Sequence, residues 1–180
     1  MEPVAAIRYL AERPPAPGRL RLVQRFANTV DHEHGREMLH SPQRLRALLV
    51  ELGLSGPRVR VGPADLERAR ELREQLRALA LANNGVHTDA VLEAHLTATV
   101  AAGLGSLEPD RRDVDGAFAD LVGIVYTAIA DGTWPRLKAC RRDVCGWLFY
   151  DRSRNRSARW CQMAVCGNRT KTRAYRSRRR

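Results

Sequence analysis

Cysteine is absent from the first 139 positions of this 180-residue chain, and lysine from the first 137. No run approaches the ~18 uninterrupted apolar residues that a membrane span requires, so no membrane partner is expected. The opening stretch MEPVAAIRYLAERPPAPGR lacks a basic start followed by a long apolar run. No signal peptide is read there, and the expected location is cytoplasmic, where thiols stay reduced. A Gly-rich phosphate loop, a G-x-S-x-G elbow and a spare cysteine nucleophile are also missing, so no catalytic residue is named and no enzyme is expected. What the chain does have is a hydrophobic content of 44%, which is that of a folded protein.

Charge is unevenly distributed. Residues 1 to 131 carry 16 Arg and no Lys against 18 Asp and Glu, a net charge of −2. Residues 132 to 180 carry 15 Lys and Arg against only Asp143 and Asp151, a net charge of +13. Arginine makes up 29 of the 31 basic residues in an alanine-rich chain, which suggests a GC-rich bacterial genome. The preference for Arg over Lys therefore says little, whereas the clustering points to an anionic partner.

The first part reads as mainly helical. Ser41-Pro42 opens QRLRALLVELGL, where Leu45, Leu48, Leu49 and Leu52 form one stripe that Gly53 ends. Leu22, Val23, Phe26 and Val30 share a face in an earlier segment. Pro63 starts a long helix through Leu66, Ala69, Leu72, Leu76 and Leu79, closed by Asn83-Asn84-Gly85. A further helix runs through Phe118, Leu121, Val122, Val125 and Ile129. The alternating stretch near residues 95 to 108 is expected to form a short β-hairpin. The fold class is thus mainly α with a small β-hairpin (α+β) over residues 1–131, followed by a small second domain, 136–180, that carries all four cysteines, with Trp134-Pro135 at the junction. His32 and His34 flank Glu33 beside Asp31, but no third metal ligand accompanies them.

All four cysteines fall in one pattern: Cys140-x4-Cys145, fifteen residues, Cys161-x4-Cys166. Two short-spaced pairs separated by a dozen or more residues suit a tetrahedral structural zinc, each pair on its own tight turn. Two disulfides are the rival, disfavoured by a reducing compartment. Four thiolates leave no open position for catalysis. Trp147, Phe149 and Trp160 are expected to form the small core around the metal, and Asp151 to hold a turn or pair with a cation.

The segment Cys140-x4-Cys145-Gly-Trp147-Leu-Phe149-Tyr-Asp151-Arg-Ser153, then Arg159-Trp160-Cys161-Gln-Met163-x2-Cys166-Gly167-Asn168-Arg169-x-Lys171, resembles the CGNR zinc finger. Phe26-Ala-Asn28-Thr29-x-Asp31, the Ser41-Pro42 helix and Leu72-Arg73-Glu74 resemble the ABATE domain that usually accompanies it. The resemblance implies a bacterial stress-induced transcription regulator with the finger on DNA. The residues support that reading independently. In NRTKTRAYRSRRR a helix would place Arg169, Arg173 and Arg176 at i, i+4, i+7, with Lys171, Tyr175 and Arg178 on a neighbouring face. A loop carrying Arg152, Arg154, Arg156 and Arg159 extends the basic surface. The candidate nucleic-acid contacts are Arg156, Arg159, Asn168, Arg169, Lys171, Arg173 and Arg176, reaching duplex DNA through phosphates and base edges. Asn168 has a second reading as a helix cap. Asn28 and Asp31 are candidates for a ligand site or for organising a helix end. RNA, or an acidic protein partner, remains an alternative for the same surface. A single finger of about 45 residues covers little DNA, so a homodimer is expected.

Overall fold

The computed structural model describes residues 15–88, 113–177 and 179. The hairpin expected near residues 95 to 108 lies outside the described residues. Helix α1 spans Leu20–Ala27, α2 Pro42–Glu51, α3 Pro63–Ala82 and α4 Val114–Ala130. Most of each expected apolar stripe turns inward, because residues three and four apart share a helix face. Helix α1 ends at Ala27, however, so Val30 is buried from the strand that follows and not from the helix. Their starts follow local chemistry. The Ser41 hydroxyl accepts from the Arg44 N–H at 3.3 Å, and the Asp113 carboxylate accepts from the Gly116 N–H at 2.8 Å. At α3 the Asp65 carboxylate reaches back to the Gly62 N–H at 2.8 Å. Such end contacts satisfy donors that have no partner within the helix.

Phe26 of α1, Leu45 and Leu49 of α2, Leu72 and Leu76 of α3, and Phe118 and Leu121 of α4 meet in one buried core. Phe26 and Phe118 lie edge to face at 6.3 Å. Ile129 departs from the expected stripe. It is half exposed in the last turn of α4, where Ile124 and Ala128 face inward instead.

Two hairpins are present among the described residues, each with strands too short to show alternation. Strand β1 (Val30–Asp31) pairs antiparallel with β2 (Arg36–Glu37), Val30 opposite Glu37. After a 3-10 turn at Trp134–Arg136, β3 (Leu137–Ala139) pairs antiparallel with β4 (Leu148–Tyr150), Leu137 opposite Tyr150. Side chains alternate across a strand, so β3–β4 has two different faces. Leu137, Ala139, Leu148 and Tyr150 join the helical core. Phe149, with the flanking Cys140 and Trp147, joins a second cluster containing the other three cysteines. Trp134 at the junction is buried in the helical core.

Polar groups of the helices close this seam. The Asn83 amide donates to the carbonyls of Trp134 and Leu137, both at 2.9 Å, and Asn84 donates to Ala139 at 2.8 Å and Arg159 at 3.0 Å. The Arg77 guanidinium, buried in α3, donates to the Ala27 carbonyl at 2.6 Å and also to the Gly146 carbonyl. Among the described residues, no helix is long and apolar enough to cross a membrane.

Candidate metal centre and basic helix

Cys140 leaves β3 and Cys145 precedes β4, so the β3–β4 connection is itself the first knuckle. The Cys140 N–H bonds the Trp147 carbonyl at 2.9 Å, and the Cys145 N–H bonds the Arg142 carbonyl at 2.8 Å. Gly146 follows with φ +56°, and a Cβ there would lie 3.3 Å from Arg77 Cδ. Only glycine meets both conditions without strain. The second knuckle is a π-helical turn, Met163–Gly167, where Cys166 N–H bonds the Gln162 carbonyl at 2.9 Å. A Cβ on Gly167 would collide with the Met163 sulfur and come within 3.0 Å of the Trp160 ring.

The two knuckles bring four buried sulfurs within 4.8 Å of one another. Cys145 and Cys161 Sγ are 3.7 Å apart, and Cys161 and Cys166 Sγ 3.6 Å. A tetrahedral site with Zn–S near 2.3 Å has an edge of about 3.8 Å, so the donor set fits zinc. The sulfurs are unbonded thiols rather than disulfides. Their electrostatics call for a cation. Bonds from Cys145 and Cys161 lower the Cys140 thiol to about 7, and bonds from Cys140 and its neighbours lower Cys166. Bonds from Cys140 raise Cys145 and Cys161 in turn. Metal ligation takes thiolates, and a divalent ion offsets the charge of four of them held this close. The finger holds one structural zinc through Cys140, Cys145, Cys161 and Cys166. When bound, it supplies the cross-link that a core of this size lacks.

Trp147 and Phe149 are only 4% and 3% exposed and pack on the cysteines, with Trp160 partly buried beside them. Lys138, on the same face of β3, makes a buried ion pair with Asp151 at 2.8 Å. Asp151 also accepts from the Ser153 N–H at 2.9 Å, the Ser153 hydroxyl at 2.6 Å and the Ala158 N–H at 3.0 Å. Burial alone would raise its pKa, but Lys138 and Ser153 together hold it below the usual value. Lys138 further donates to the carbonyls of Arg156 and Ala158. This network orders the basic loop and sets Arg156 at φ +49°, with the guanidinium side exposed. The Arg159 side is likewise exposed, while its carbonyl is held by Arg141 N–H and Asn84. Arg152 donates to the Pro15 carbonyl at 3.0 Å.

Helix α5 (Asn168–Ser177) continues directly from the second knuckle. Asn168 donates to the Ala164 carbonyl at 3.2 Å, tying helix to knuckle, and Thr170 bonds the Cys166 carbonyl at 2.9 Å. Lys171, Arg173 and Arg176 are exposed. Arg173 lies 3.6 Å from Asp143, but both side chains are 83% exposed, so the pair contributes little. Arg169 is different. It donates at 2.5 Å to Glu33, in the β1–β2 turn, and Arg142 grips the same carboxylate at 2.8 and 3.0 Å. The fork from Arg142 holds Glu33 below the usual carboxylate range.

The N-terminal candidates both have partners within the protein. Asn28 is buried, its amide donating to the Leu148 carbonyl at 2.9 Å and accepting from the Leu148 N–H at 2.8 Å. It acts as a paired strand beside β4. Asp31 pairs with His34 at 2.7 Å, while His32 turns toward Glu74 at 3.9 Å. Among the described residues, the four cysteines form the metal-ligand group and the histidines do not. Sequence reasoning passed over Glu33, Arg142 and Arg77 as contacts between the two parts, and Lys138 as the buried partner of Asp151. None of them carries a local signal, because each partner lies far along the chain.

The CGNR zinc finger family model matches residues 136–179. The ABATE family model, described as "Putative stress-induced transcription regulator", matches residues 5–131. No curated protein matches the chain.

Proposed function

The chain belongs to the ABATE family and carries a CGNR zinc finger, and on that premise we propose that it is a DNA-binding transcription regulator. The observation that carries this is α5: a ten-residue helix whose basic side chains Arg169, Lys171, Arg173 and Arg176 are exposed, mounted on a zinc ligand. A polar helix of this length is marginal in water unless held at one end or covered by a partner. The zinc knuckle supplies the hold, and a polyanion supplies the charge complement. Arg173, Lys171 and Arg176 contact phosphates, and Arg169 and Asn168 lie nearest the knuckle at the helix start. Arg156 and Arg159 add contacts from the ordered loop.

Burial of Trp147 and Phe149 favours a duplex over single-stranded RNA, because stacking on bases needs exposed rings. The helical part receives a signal, pairs two copies or recruits a protein. Two copies would supply the surface that one small module lacks on DNA. No residue is assigned a catalytic role.

Binding of the zinc-loaded protein to random duplex DNA across a salt series tests the reading. Log K should fall steeply with log salt, and the Arg169→Ala/Arg173→Ala/Arg176→Ala variant should show a slope shallower by about 0.9 per lost phosphate contact. Absence of binding at about 50 mM salt would overturn it, since that condition favours even non-specific contacts. Competition by structured RNA stronger than by duplex DNA would move the assignment to RNA.

A further inference from the structure

Beside the apolar and amide contacts of the seam, one acidic side chain of the helical part faces the arginines nearest the zinc. Glu33 sits in the turn between β1 and β2, yet its two carboxylate oxygens are occupied by finger residues more than a hundred positions away. Arg142 takes both oxygens in a fork, and Arg169 takes Oε1 at 2.5 Å. Glu33 is 23% exposed, Arg142 17% and Arg169 56%. The contact is therefore partly desolvated, and stronger than the fully exposed pair of Arg173 with Asp143.

A carboxylate held in an arginine fork occupies the donors that a phosphate would use. We infer that Glu33 is an internal competitor for nucleic acid: it latches Arg169, and with it the zinc-proximal end of α5, onto the ABATE part. This rests on the reading of α5 as a DNA-contacting helix. In the latched state Lys171, Arg173 and Arg176 are open to phosphates, while Arg169 must first leave Glu33. Any event that shifts the β1–β2 hairpin releases Arg169 and raises affinity without altering the finger itself. Arg142 makes the latch local to the metal, because its guanidinium also lies 4.0 Å from Cys166 Sγ. The hairpin is well placed for such control. It is two residues long on each side, and its Glu37 and His32 approach Arg73 and Glu74 of α3.

The test compares duplex binding by wild type, Glu33→Gln and Glu33→Asp, each alone and with Arg169→Ala, all zinc-loaded and at about 100 mM salt. Glu33→Gln should bind about 3- to 10-fold more tightly than wild type, the scale of one partly buried ion pair. Glu33→Asp keeps the charge but shortens the reach, so it should also bind more tightly, by a smaller factor. Both gains should vanish when Arg169 is alanine. Equal or weaker binding by the Glu33 variants, with wild type still bound, would overturn the latch and leave the DNA reading intact. A gain that persists undiminished in the Arg169→Ala background, or is absent from Glu33→Asp, would overturn it as well, showing mere charge repulsion. Absence of binding by wild type and every variant would overturn the DNA reading, and the latch on DNA with it. Zinc content and far-UV circular dichroism of each variant show that the finger is folded.

Discussion

The helical region and the finger both bury apolar side chains, but they reach a fixed structure by different physics. In the helical region Phe26, Leu45, Leu49, Leu72, Leu76 and Leu121 fill a core large enough to hold four helices by burial alone. The finger has Trp147 and Phe149, a few partly covered neighbours and four thiols, which is too little apolar surface to fold without a cross-link. One hairpin serves both. Its Leu137, Ala139, Leu148 and Tyr150 face belongs to the helices, and its Cys140, Trp147 and Phe149 side belongs to the metal. A small metal domain can therefore be half-supported by a neighbour, and its stability then has two separable sources.

The sharpest way to break that comparison is to remove the zinc. Structural zinc in finger peptides is worth on the order of 10–16 kcal/mol, which exceeds the net stability of most small domains. A chelator should therefore melt both knuckles and α5, changing Trp147 and Trp160 fluorescence. The helices should persist with a lowered melting temperature, because β3–β4 keeps its inner face on their core. Simultaneous loss of helical circular dichroism and tryptophan signal would show one cooperative unit and erase the distinction.

The buried pair comes next. Lys138→Met leaves Asp151 without its cation and frees the loop carbonyls, at a cost of about 3–5 kcal/mol. Urea unfolding should show that loss in the finger transition, with trypsin cutting sooner at Arg154 and Arg156. An unchanged midpoint would mean that the metal alone orders the loop. Smaller is the effect at the seam. Asn28→Ala leaves the Leu148 N–H unpaired and should cost about 2 kcal/mol, with zinc content unchanged. Gln24 also donates to the Leu148 carbonyl, at 3.3 Å, and keeps that acceptor partly satisfied. If Asn28→Ala is instead fully stable, the seam is held by apolar contact. The smallest stability effect belongs to Arg173→Ala, expected within about 0.5 kcal/mol because its ion pair is exposed. Its consequence should appear on DNA alone, as a salt slope shallower by about 0.9.

Much of the architecture was legible from residue spacing. The stripes of α2 and α3 and the Ser41 cap act over three or four positions, so local spacing exposes them. The zinc ligands were equally plain, because a metal needs its donors in short pairs. Less was visible where partners are distant. The β1–β2 hairpin reads as a charged turn, Asp-His-Glu-His-Gly, with strands too short to show alternation. Asn28 carried no mark of its partner Leu148, 120 positions on. Ile129 matched the apolar period of α4, yet the end of that helix turns Ile124 and Ala128 inward instead.

By itself, the order of residues determined which segments are helical, which four atoms hold the metal and where positive charge accumulates, since these depend on neighbours within a few positions. Tertiary structure alone decided that Glu33 meets Arg142 and Arg169, that Lys138 is buried against Asp151, and that the finger's hairpin completes the helical core. Those are contacts between surfaces that become neighbours only when the chain folds, and charge or apolarity in a sequence does not say which opposite surface it will meet.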